Sequence, residues 1–95
     1  MVIRILDIVP GADTAEEGTL VHSHLRAALA NCGSVAVSFD GINVTTSSFV
    51  AAAFLPLLGQ LSFDDVKRRM RVINSTRQIN LLIKSRLERE AAKAA

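Results

Sequence analysis

The chain has 95 residues, 49% hydrophobic and 21% charged, with a formal net charge of +2, five glycines, two prolines and one cysteine. That length suits one domain and leaves no room for a second, and so apolar a chain with so small a charge is not disordered. Cys32 has no partner for an internal disulfide, which fits a reducing compartment and makes the cytoplasm the expected location.

Val2, Ile3, Ile5, Leu6, Ile8 and Val9 predict a β-branched opening strand stopped by Pro10-Gly11. Arg4 and Asp7 interrupt the stretch and no small-residue cleavage site follows it, so it does not read as a signal peptide. Ala12 to Gly18 is small and acidic, a loop or a frayed first turn. Val21, Leu25, Ala28, Leu29 and Cys32 then recur at helical spacing, and Asn31 to Gly33 ends this first helix.

Val35-Ala36-Val37-Ser38-Phe39 reads as a second strand, buried in the middle of a sheet. After a turn at Asp40 to Asn43, the hydroxyls of Thr45-Thr46-Ser47-Ser48 supply caps for a second helix over Phe49 to Leu58, with Gly59 at its end. That helix is apolar nearly all round, which predicts burial, and Pro56 predicts a kink or end near Phe54. Phe49 to Leu58 is about half the ~20 residues needed to cross a bilayer, so it belongs to a core and no membrane is expected.

Ser62-Phe63-Asp64-Asp65 matches a capping box and opens a short helical turn to Arg69, and Met70, Val72 and Ile73 form a third strand. Ser75 with Gln78 is a second capping-box match, opening a final helix. Its apolar stripe is Ile79, Leu82, Ile83, Leu87, Ala91 and Ala94, with Leu81 off the stripe and facing solvent or a partner. The order β-α-β-α-β-α, with one short turn added, predicts a small α/β domain with a mainly parallel sheet, covering helices and right-handed crossovers.

The charge is uneven. Residues 1–63 carry two basic against five acidic side chains, a net −3, whereas residues 64–95 carry nine against four, a net +5. Lys67, Arg68, Arg69 and Arg71 form a candidate basic patch for phosphate, which makes a nucleic-acid accessory role the main rival reading. Against nucleic acid, the chain has no Trp or Tyr, and its few aromatics are phenylalanines at apolar positions that offer single-stranded bases no platform.

No catalytic constellation is legible. His22 and His24 are two apart, about 200° around a helix, and cannot share a metal. Asp40 ends the central strand where α/β proteins place ligands, but one carboxylate without a neighbouring His or Lys is not an active site, so neither enzyme activity nor a cofactor or metal is expected. Ser47 and Ser48 precede a helix whose first amides favour a phosphate, and simple N-capping is the plain alternative.

Val35 to Ile42, with its Asp40-Gly41-Ile42 ending, and Thr46-Ser47-Ser48-Phe49 resemble the STAS-like family of small bacterial domains, relatives of the anti-sigma factor antagonists. The resemblance extends through Phe63, the strand Met70 to Asn74 and the final helix, roughly Leu25 to Arg89. Ser47 stands where the antagonists carry their phosphorylated serine, Thr46 where they have Asp, and Phe49 where they have Gly. The resemblance implies a regulatory, non-catalytic protein-binding domain. It implies a histidine-kinase-like ATPase as partner, with Ser47 or Ser48 as phosphoacceptor and Asn43, Thr45, Thr46 and Phe49 in the contact surface. The ATP would belong to the partner. A third reading is a constitutive assembly module, in which the apolar second helix and Leu81 form a homodimer surface.

Overall fold

The computed structural model describes residues 1–94. Its opening strand, β1 (Val2–Arg4), is shorter than the β-branched run predicts, because Ile5–Asp7 winds into a 3-10 turn. The Ile5 carbonyl accepts from the Ile8 and Val9 N–H groups, each at 3.0 Å, bonds that an extended chain cannot make. The turn brings both Ile5 and Val9 into the core, at 0% and 3% exposure.

α1 (Ala15–Cys32) begins earlier than its apolar spacing indicates. Thr14 is its N-cap: the Glu17 N–H donates to Thr14 Oγ1 at 3.2 Å, and Glu17 Oε1 accepts from the Thr14 N–H at 3.1 Å, a reciprocal capping box. Gly33 ends the helix as expected, its N–H donating to the Leu29 carbonyl. β2 (Val35–Ser38) follows, then α2 (Ser47–Phe54), which passes at Leu55–Gly59 into a 3-10 turn holding Pro56. The break falls at Phe54 because Pro56 has no N–H to continue the helix. α3 (Phe63–Arg69), capped by Ser62, leads directly into β3 (Met70–Ile73), and α4 (Arg77–Ala94) completes the chain. The second capping expectation is corrected at α4: the Ile79 N–H donates to Thr76 Oγ1, while the Ser75 hydroxyl donates to Asn80 Oδ1.

The three strands are parallel in the order β1-β2-β3, with Val37 between Ile3 and Val72 in register. Ile3, Val35, Val37, Met70 and Val72 share one face and join one hydrophobic cluster with Val21 and Leu25 of α1, Phe49 and Phe54 of α2, Val66 of α3, and Ile79, Ile83 and Leu87 of α4. All four helices therefore lie on that face. Strand order never reverses, so successive right-handed crossovers return to the same side. The other face carries Val2, Arg4, Ala36, Ser38, Arg71 and Ile73, and none of these belongs to the cluster. Among the described residues the central strand is thus covered by helices on one side only. Ala36 and Ser38 reach 5% and 3% exposure as short residues between longer neighbours.

The final helix buries Ile79, Ile83 and Leu87 and leaves Leu81 56% exposed, as its stripe predicts. The Ala94 side chain lies outside the described residues. Among the described residues no single helix is long and apolar enough to cross a membrane.

Candidate functional site

The carboxyl ends of the strands converge on a corner built from the loop after β2 and the first turn of α2. Ser38, the one buried polar residue among those described, accepts from the Asp40 N–H at 3.2 Å and from Asn74 Nδ2 at 3.0 Å. Asn74 adopts φ 54°, a left-handed conformation that Asn tolerates better than most residues. This contact ties the end of β2 to the end of β3. Asp40 faces solvent and pairs with Arg4 Nε at 3.3 Å, while Arg4 Nη1 reaches Asp7 at 3.0 Å. These partners, Asp7 first, hold the Arg4 guanidinium pKa above its ordinary value. Gly41 turns the chain at φ 85°, where a side chain would also strike Leu6.

Thr45 and Thr46 then clip the loop down. Thr45 Oγ1 donates to the Ala12 carbonyl and Thr46 Oγ1 to the Asp13 carbonyl, both at 2.7 Å. Thr46 is also the N-cap of α2, accepting from the Phe49 N–H at 3.1 Å. Ser47 and Ser48 are consequently the first two residues of the helix and do not cap it, which corrects the capping reading of these hydroxyls. Both are exposed, and among the described residues neither their hydroxyls nor their amides are hydrogen-bonded.

Of the expected contact residues, Asn43 is exposed, and Thr45 and Thr46 have their hydroxyls occupied by the Ala12–Asp13 backbone. Phe49 is corrected: it is 0% exposed, because the first turn of α2 directs it into the core, and a partner cannot touch its ring. Sequence reasoning missed Val44, which stands 65% exposed beside Asn43 and borders a cleft with Gln78 and Leu82 of α4. An apolar residue alone in a polar turn was the available signal.

The structure brings Arg68, Arg69 and Arg71 of the basic patch around one cleft with Ser34 and Ala36, and places Lys67 apart from them on another. Arg69 Nε donates to the Gly33 carbonyl at 2.6 Å and its Nη2 to the Leu29 carbonyl at 2.7 Å, so this guanidinium caps the C-terminus of α1. Arg68 pairs with Asp65, and that guanidinium, together with the Ser62 hydroxyl, holds the Asp65 carboxyl below its usual range. Lys67 lies over the Phe63 ring at 5.4 Å, and Arg71 is exposed on the bare sheet face. His22 Nδ1 sits 3.2 Å from the Ala53 carbonyl, to which it must donate, and His24 bonds within its own helix. Among the described residues no three His, Cys, Asp or Glu side chains gather as a metal site would require.

The arrangement therefore presents one chemically open feature at the strand ends: two free hydroxyls over two free helix-terminal amides, on a loop rigidly tied to the start of α1. A family model described as a STAS-like domain of unknown function (DUF4325) matches residues 17–80, from the first turn of α1 to the first turn of α4. No curated protein and no solved structure matches the chain.

Proposed function

The chain belongs to the family of STAS-like domains of unknown function, and on that premise we propose that it is a cytoplasmic, non-catalytic regulatory domain that binds a protein partner through the first turn of α2. One observation carries the reading: Thr46 takes the cap, which leaves the Ser47 hydroxyl exposed and unbonded at a helix start. By family resemblance the partner is a histidine-kinase-like ATPase. Ser47 Oγ attacks the γ-phosphorus of the partner's ATP, the bond to the ADP oxygen breaks, and the hydroxyl proton passes to a base on the partner.

Phosphorylation would add about −1.5 to −2 charge at neutral pH. The free amides at the start of α2 favour that charge within the domain. The same charge on the contact surface, beside the acidic segment that contains Asp13 and Glu16, would end an interaction made with a neutral or acidic partner. Ser48 is exposed one position further on and is the control.

The test is a pull-down from native lysate with wild-type, Ser47→Asp, Ser47→Ala and Ser48→Ala chains, with recovered proteins identified by mass spectrometry. Loss of one partner with Ser47→Asp, constitutive capture by Ser47→Ala and normal behaviour of Ser48→Ala support the switch. Equal capture of the same proteins by all four chains overturns it. Arg69 is committed to α1, so a nucleic-acid role would rest on the remaining cations of the patch, and nuclease treatment of the same lysate reports it.

A further inference from the structure

β3 is an edge strand, paired with β2 alone. The Phe39 N–H donates to the Ile73 carbonyl at 3.0 Å, so in this parallel register the backbone groups of residues 71 and 73 point to β2 and those of 70 and 72 point away. The Met70 N–H is occupied by the Val66 carbonyl at the end of α3. The Val72 N–H and carbonyl have no partner among the described residues. They are a short, open template for another strand.

Beside that edge, on the helix side of the sheet, a groove of about 410 Å³ opens between α3 and α4. Val66, Met70, Val72, Ile83 and Leu87 give it an apolar floor, and Lys67, Lys84 and Glu88 stand on its rim. A strand laid against β3 projects alternate side chains toward the helix side, over this floor.

We propose that this edge and groove bind an extended segment of a partner protein as a fourth strand, apolar at alternate positions and acidic at its flanks. Backbone pairing supplies the attachment and the groove reads the alternate side chains, the mode known as strand addition. Charge selects the occupant. Lys67 and Lys84 outnumber Glu88 on the rim of the groove, Arg71 adds a cation on the other face of the edge strand, and residues 64–95 carry a net +5. A second copy pairing edge to edge would offer the strand Met70–Ile73, whose one charged residue is Arg71, and so would bring no acid to Lys67 and Lys84. A nucleic acid would use the cations but leave the apolar floor and the Val72 amide unused. The site is distinct from the first turn of α2, so either can fail without the other.

The experiment selects displayed random dodecapeptides against the full chain, then titrates the enriched peptides while amide exchange is followed residue by residue. The expected peptides alternate apolar residues between acidic flanks, slow exchange at the Val72 amide, and bind about tenfold more weakly to the exposed double variant Lys67→Glu, Lys84→Glu. Circular dichroism of that variant confirms that it is folded. The proposal is overturned if no peptide is enriched, if the enriched peptides bind the double variant equally well, or if protection falls away from β3. A dimer in light scattering with Val72 already protected would make a second copy the occupant. A single-stranded oligonucleotide protecting the same amide would make the edge a nucleic-acid site. Either result also overturns it.

Discussion

Gly18 is the residue on which the close approach of α1 to α2 depends. A Cβ there would lie 2.6 Å from the Phe49 carbonyl oxygen and 2.8 Å from the Ala52 Cβ, so α1 and α2 approach as closely as they do only because the position has no side chain. Gly18→Ala should therefore destabilise the fold by about 2 to 3 kcal/mol, read from the urea midpoint, despite the higher helix propensity of Ala. The neighbouring hydroxyls divide in the same way. Thr46→Ala removes the cap of α2 and the tie to Asp13, a loss of about 1 to 2 kcal/mol, whereas Ser47→Ala should stay within about 0.5 kcal/mol of wild type. Equal losses for the two variants would mean that Ser47 has a structural role after all. Among the cations, Arg69→Ala should cost about 1 to 2 kcal/mol by removing two hydrogen bonds at the end of α1, one of them the Gly33 carbonyl's, and Arg68→Ala, which breaks an exposed pair, close to none.

At the scale of elements, the start of α1 is held by charge as well as by hydrogen bonds. Glu17 accepts from the Asp13 and Thr14 N–H groups, and these bonds, Asp13's first, hold its carboxyl below the ordinary value in the folded state. A group depressed on folding stabilises the fold above its unfolded pKa, about 4.3, and loses that contribution as the pH falls through the folded value. Asp65, held down by Arg68, acts in the same direction at the start of α3. The urea midpoint should be flat from neutral pH to about pH 5 and fall below it, and Glu17→Gln should be less stable than wild type at neutral pH but converge with it in acid. A constant gap between the two at every pH would show that the carboxylate charge contributes nothing. The α2 segment shows a different economy: Pro56 removes an amide near its end, and His22 of α1 reaches across to the Ala53 carbonyl.

For the whole molecule, the governing fact is that strand order never reverses. Among the described residues one face of the sheet takes all four helices and the other takes none, which is uncommon for a parallel sheet, most of which are covered on both faces. Protection should follow this layout. The β2 amides, enclosed between two strands, should exchange only through global unfolding. The outward Val72 amide should exchange orders of magnitude faster in the chain alone. Slow exchange at Val72 without any ligand would mean that the edge is already covered in solution.

The sequence by itself determined the kinds of element, their order and the parallel sheet, because those follow from local periodicity, turn residues and the rule on crossover hand, and it showed the family through the resemblance of the segments Val35 to Ile42 and Thr46 to Phe49. It placed the break at Pro56, the end of α1 at Gly33 and the stripe of α4 correctly, since each is written in residues only a few positions apart. Only the tertiary structure decided the roles of particular side chains. Whether Thr46 or Ser47 caps α2 depends on carbonyls more than thirty residues away at Ala12 and Asp13, and whether Arg69 is free depends on the end of α1. The shortening of β1 lies in the 3-10 turn at Ile5–Asp7, which places Ile5 and Val9 together in a core built from elements far along the chain. Hydrogen bonds and charges act over a few ångströms in space, and a one-dimensional pattern records that distance only where the chain neighbours itself.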